Sequence, residues 1–154
     1  MADETLIDRE KNVERIALAD ADATAQLGAR IAREITQLPG GVVFLRGPLG
    51  AGKTCLARGL LRALGVTGAV RSPTFTLMEL YELSAIKLLH LDLYRLAGAE
   101  ELYGLGLADY ATDDWWWLVE WPERGLGGLP APWLDLRLEV AGAGRTAFLS
   151  YARR

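Results

Sequence analysis

Gly47-Pro48-Leu49-Gly50-Ala51-Gly52-Lys53-Thr54 constrains this chain more than any other stretch. It fits the Walker A pattern, G-x-x-x-x-G-K-[ST], in which backbone N–H groups turn inward around phosphate oxygens. Gly47, Gly50 and Gly52 allow a tight curl and a close approach without a Cβ in the way. Lys53 is spaced to reach the β- and γ-phosphates, and the Thr54 hydroxyl to join the shell of a Mg²⁺ ion. Context supports the pattern. Gly41–Arg46 before it is β-branched and aromatic and predicts a buried strand. Cys55–Leu64 after it repeats apolar residues at helical spacing, with Gly65 at the expected C-cap. The helix so placed aims its N-terminus at the anion.

A chain of 154 residues predicts one domain over 1–154, with residues 1–12 polar and expected to be mobile. A net charge of −3 gives no basic footprint for nucleic acid, so any contact with RNA is expected to run through a partner. Cys55 is the single cysteine, which excludes an internal disulfide and a cysteine-based zinc cluster. No run reaches the roughly 18 apolar residues of a membrane span. The acidic start, Met1-Ala2-Asp3-Glu4, lacks a secretory core, so a cytoplasmic setting is expected.

In chain order, Arg15–Ala19 predicts a strand and Asp20 caps a helix over Ala21–Leu38, with Leu27, Ile31 and Ile35 as its apolar stripe. Pro39-Gly40-Gly41 ends that helix. Pro73 makes Ser72-Pro73 a loop leading into a strand over Phe75–Leu83. A second strand over Ile86–Leu93 closes an antiparallel hairpin through Ser84-Ala85. Ala99–Leu105 predicts a short helix and Leu107–Tyr110 a further turn. Trp115–Glu120 is a strongly apolar run ending in a carboxylate, followed by a turn or a short helix start at Trp121–Gly125. Leu134–Val140 and Thr146–Tyr151 predict a last hairpin around Ala141–Gly144.

A Walker loop needs further carboxylates to hold Mg²⁺ and to position the attacking group. Asp92 and Glu120 each follow an apolar strand, where open α/β sheets collect their ligands. His90, the single histidine, shares a strand face with Asp92 and could support it; a satisfied core histidine is the equal alternative. Trp115, Trp116 and Trp117 read as packing, whereas Trp121, between Glu120 and a proline, is placed to touch a ligand or partner.

Several blocks occur in order: the Walker loop; Ser72-Pro73-Thr74-Phe75-Thr76-Leu77; His90-Leu91-Asp92-Leu93-Tyr94-Arg95-Leu96; Glu100-Glu101-Leu102 with Leu105-Gly106-Leu107; and Val119-Glu120-Trp121-Pro122-Glu123-Arg124-Gly125. Together they resemble the bacterial TsaE (YjeE) family, the ATPase of tRNA threonylcarbamoyladenosine biosynthesis, over about Asp20 to Arg145. The resemblance implies a P-loop NTPase-like three-layer α/β sandwich with a mixed parallel and antiparallel sheet. It implies phosphate binding by Gly50, Ala51, Gly52, Lys53, Thr54 and Cys55, and Mg²⁺ on Thr54 and Glu120. Asp92 takes a Walker B-like role, which makes Lys53, Asp92 and Glu120 the catalytic set. Thr74 lies in a switch-like loop near the γ-phosphate, Trp121 beside the active site, and Asp22 and Arg145 near the nucleotide. Cys55 departs from the family, which usually has a second threonine there.

The resemblance further implies an accessory motor. ATP binding and hydrolysis reset or license a complex of TsaB with the transferase TsaD, while TsaC supplies the threonylcarbamoyl-adenylate. The product is the modified adenosine beside the anticodon in tRNAs that read ANN codons, so tRNA is met indirectly, through the complex. Two other readings stay open: a small P-loop kinase, and a nucleotide-dependent binding module with negligible turnover. No Arg-rich insertion follows the Walker helix as a kinase lid would, and no Asn-Lys-x-Asp segment points to a GTPase.

Overall fold

The structure, a computed structural model, describes residues 13–70, 73, 76–125 and 127–153, and the backbone of residues 5–8. Among these, eight strands form one sheet in the order β1-β2-β8-β7-β3-β6-β5-β4. They are β1 (Thr5–Asp8), β2 (Val13–Leu18), β3 (Gly41–Arg46), β4 (Met78–Glu82), β5 (Lys87–Asp92), β6 (Trp116–Glu120), β7 (Leu134–Ala141) and β8 (Gly144–Tyr151). The middle, β7-β3-β6-β5, is parallel, and antiparallel pairs extend it on both sides. This is the mixed sheet of a P-loop NTPase-like fold.

Two helices, α1 (Ala21–Ile35) and α2 (Lys53–Ala63), cover one face. Asp20 caps α1 by accepting from the Ala23 N–H at 2.8 Å. Leu27, Ile31 and Ile35 then meet Leu56 and Leu60 of α2 over Val43, Leu45 and Leu118 of the sheet. Ile31 is wholly buried, which contributes about 1.5–3 kcal/mol for a side chain of that size. The two helices cross closely because Gly28 and Gly59 carry no side chain at the contact. A Cβ on Gly28 would stand 2.3 Å from the Leu56 carbonyl oxygen, and one on Gly59 2.3 Å from that of Ala25.

The opposite face is thinner. It carries the five-residue α3 (Ala99–Tyr103) and short turns, packed through Leu102 on Val42, Phe44, Leu91 and Trp117.

Several boundaries move from those expected. Helix α1 stops at Ile35, three residues before Leu38, where the Thr36 hydroxyl turns back to the Arg33 carbonyl. The strand expected from Phe75 starts at Met78. Phe75 is outside the described residues, and Leu77, at φ 65°, breaks the extended path just before the strand. The last hairpin is tighter than expected: Gly142 at φ 59° turns the chain so that β8 starts at Gly144. Within the start expected to be mobile, Thr5–Asp8 pairs with Val13–Ile16 as an edge strand; the rest of 1–12 is outside the described residues.

Candidate active site

The glycine loop leaves β3 at Gly47 and enters α2 at Lys53, so the strand, loop and helix lie as the sequence requires. Strand β3 runs between two parallel neighbours, β7 and β6. Crevices at the carboxyl ends of such strands are where open α/β sheets place ligands. The curl is held by glycine conformations: Gly47, Gly50 and Gly52 have φ of 145°, 78° and 105°. At Gly47 a Cβ would also stand 2.6 Å from the Leu138 carbonyl oxygen, so the loop lies directly on β7. The end of β3 is fixed by Arg46, which donates to Asp135 of β7 at 2.8 Å and pairs with Glu123 at 3.7 Å.

The two acids come together at the adjacent strand ends. Asp92 and Glu120 are direct register partners across β5 and β6, 6% and 2% exposed. Asp92 accepts from the Tyr94 N–H at 3.1 Å. Glu120 is bonded to His90, Nε2 to Oε2, at 2.7 Å. His90 therefore supports Glu120, on the neighbouring strand, rather than Asp92, two residues along its own. Strand alternation placed it on the right face, but the diagonal across the strands chose its partner.

Lys53 is 5% exposed. Its ammonium donates to the carbonyl oxygens of Gly47 and Pro48 and sits 4.1 Å from the centre of the Trp121 ring. Burial pushes its pKa below the ordinary lysine value, and the charges of Glu120, Glu123 and Asp92 oppose that shift. Trp121 reaches this position through a left-handed backbone, φ 56° and ψ 49°, uncommon for a large side chain. Its N–H donates to the Leu45 carbonyl at 3.3 Å, and its ring packs on Tyr94 with centroids 4.9 Å apart at a 45° tilt. Strained backbone of this kind gathers at ligand sites.

These groups open onto one cavity of about 430 Å³, lined by Leu49, Gly50, Gly52, Lys53, Thr54, Asp92, Tyr94, Arg95, Glu120 and Trp121. Seven of the residues expected at the site are thus in one place. Tyr94 and Arg95, in the turn just past Asp92, are site residues that the sequence reading does not single out.

A second, smaller hollow of about 150 Å³ lies on the other flank of the loop, lined by Asp20, Ala21, Thr24, Gly52, Cys55, Ala143, Gly144 and Arg145. Arg145 donates through Nε to the Ala51 carbonyl at 3.0 Å and through Nη2 to that of Gly50 at 2.9 Å. Its guanidinium thus clamps the outside of the loop, a role that spacing alone does not reveal. The Cys55 thiol donates to the Ala21 carbonyl at 3.4 Å. Ala51 is buried in the loop between these flanks. Asp22 is exposed in the first turn of α1 and lines neither hollow. Ser72 and Thr74 lie outside the described residues.

Among the described residues no three His, Cys, Asp or Glu side chains form a metal cluster. No helix among them is long and apolar enough to cross a membrane.

A sequence model of the family described as "Threonylcarbamoyl adenosine biosynthesis protein TsaE" matches residues 18–149. The chain belongs to the TsaE family. It is similar to the tRNA threonylcarbamoyladenosine biosynthesis protein TsaE of Treponema pallidum, 35% identical over 84% of this chain and 94% of that protein. The TsaE protein of Haemophilus influenzae is 51% identical over a shorter alignment, 58% of this chain and 56% of that protein. The crystal structure of Bacillus subtilis YdiB superposes with a TM-score of 0.71 at 25% identity, covering 99% of this chain and 90% of that one. The family match spans both flanks of the glycine loop, including Asp92, Glu120 and Arg145.

Proposed function

We propose that the chain binds ATP with Mg²⁺ at the glycine loop and hydrolyses it in the service of threonylcarbamoyladenosine formation on tRNA, acting on a TsaB–TsaD complex. One observation carries the nucleotide part: Asp92 and Glu120, side by side at parallel strand ends, share a cavity with Lys53 and Thr54. Membership of the TsaE family supports the pathway.

The residues fit the cofactor. Nothing stands within 4 Å of a Cβ position at Gly50, so the loop offers open backbone there. Residues 50–55 supply N–H groups at the start of α2, where the helix dipole favours an anion. Thr54 and Glu120 supply the hard oxygen ligands that Mg²⁺ prefers, completed by water and phosphate. An ion held by Thr54 and Glu120 would supply positive charge against the charge that develops during phosphoryl transfer.

The remaining work falls to the chain itself. Lys53, on its flexible stem, exchanges loop carbonyls for the β- and γ-phosphates. Asp92, held by the Tyr94 N–H, orients the attacking water and takes up its hydrogen bond. Arg145 keeps the loop carbonyls turned outward so that the N–H groups face the phosphates. Trp121 and Tyr94 form one wall and keep Lys53 out of bulk water.

The test is ATP hydrolysis by the purified chain, alone and with TsaB–TsaD, alongside nucleoside analysis of tRNA from cells lacking the protein. Phosphate released to water, together with loss of the modified adenosine, is the expected result. Phosphate transferred to an added metabolite would favour a kinase. Tight ATP binding without turnover, even with the partners, would favour a binding module.

A further inference from the structure

The nucleotide reading leaves a buried histidine unused. His90 is 1% exposed on β5, and its Nε2 lies 2.7 Å from Glu120 Oε2. A carboxylate only accepts, so the nitrogen that faces it carries the hydrogen. The other nitrogen, Nδ1, is buried and has no hydrogen-bond partner among the described residues. A hydrogen there would be an unmatched buried donor, so the surroundings satisfy only the tautomer with the hydrogen on Nε2.

We propose that His90 is a positioning residue for Glu120: its Nε2–H holds Oε2, so that the carboxylate keeps its other oxygen toward the cavity shared with Thr54. This rests on the reading of Glu120 as a Mg²⁺ ligand. Glu120 has a competing partner, since Lys53 lines the same cavity. Without the histidine, a nearly wholly buried carboxylate loses the donor that holds Oε2 and turns to the ammonium, where it cannot serve a cation. The strands make the arrangement rigid: His90 is the register partner of Leu118, and Glu120 is the next residue along the same face of β6. Metal-ligating carboxylates depend on such outer partners, and removing one typically costs 10–100-fold in metal affinity.

The test is calorimetry of ATP binding to the full chain, in EDTA and across a Mg²⁺ titration. His90→Leu is expected to raise the Mg²⁺ concentration for half-maximal enhancement of ATP affinity by about tenfold or more. Affinity in EDTA stays near wild type. His90→Gln, whose amide reaches about as far as Nε2, recovers most of the loss. His90→Asn, whose shorter amide falls nearer Nδ1, does not. The proposal is overturned if His90→Leu keeps the wild-type Mg²⁺ dependence, or if affinity in EDTA falls by the same factor. If the leucine variant does not fold, the glutamine and asparagine variants decide, and equal behaviour of those two overturns it. Glu120→Gln separates the two layers. If this change leaves the Mg²⁺ dependence intact, the metal reading itself fails; if it shifts that dependence while His90→Leu does not, only the histidine's role fails.

Discussion

The glycine loop has two flanks, and they hold it differently. On the β8 flank Arg145 grips the Gly50 and Ala51 carbonyls, Cys55 reaches the Ala21 carbonyl, and α1 and α2 pack through Gly28 and Gly59. Each of these polar groups meets a backbone acceptor, and the hollow there is about 150 Å³. On the β5–β6 flank two buried carboxylates and a lysine of lowered pKa face a cavity of about 430 Å³, and a buried histidine bonds one of the acids. Buried charges are costly unless paired, and clusters of them in a cleft mark sites of chemistry. One flank shapes the loop; the other is the one we propose acts on a bound nucleotide.

Substitutions on the two flanks should therefore fail in different ways. The largest effect is expected from Lys53→Ala, which removes the cation proposed to reach the phosphates. Turnover should fall by about 10²–10³-fold or more, as for loss of one transition-state donor. Wild-type ATP affinity and wild-type hydrolysis in this variant would together refute the assignment. On the other flank, Gly59→Ala forces a Cβ against the Ala25 backbone and should destabilise the fold by about 1–3 kcal/mol. Thermal unfolding checks this, and an unchanged midpoint would mean that the helix crossing is looser than it looks. Arg145→Ala removes two hydrogen bonds from a charged donor to the loop, each worth about 1.5–3 kcal/mol at most. It should weaken ATP binding with or without Mg²⁺, which sets it apart from changes at Glu120. The smallest effect is expected from Cys55→Thr, since the backbone N–H that would serve a phosphate is the same in both; ATP affinity should move by about 1 kcal/mol or less.

The elements near the loop were legible because local physics settles them. Asp20 is a cap whatever surrounds it, and Gly47–Thr54 between a β-branched run and an apolar helix has one natural reading. The hairpin of β4 and β5 follows from its short turn. The sheet order was not legible. Strand β7 lies beside β3, and β8 comes back to β2, pairings between residues more than a hundred positions apart for Leu18 and Arg145. The same limit governed the site. Asp92 and Glu120 were readable as strand-end acids, but that they are register partners, that His90 serves the second of them, and that Arg145 binds loop carbonyls are all cross-strand facts. Trp121 was noticed for its neighbours in sequence, and the left-handed turn that lays it over Lys53 could not be.

The central claim is that the two acids are functional and divide the work, and one paired measurement tests it most directly. ATP affinity as a function of Mg²⁺, and kcat in the presence of the TsaB–TsaD complex, should be measured for Asp92→Ala and Glu120→Ala. Glu120→Ala is expected to weaken Mg²⁺-dependent binding by about 10–100-fold, as ground-state metal contacts do. Asp92→Ala is expected to lower kcat by about 10²-fold or more while affinity stays near wild type, the signature of an interaction made in the transition state. The reverse pattern would exchange the two roles. Unchanged binding and turnover in both variants would contradict the account and leave the glycine loop without the acids proposed to work with it.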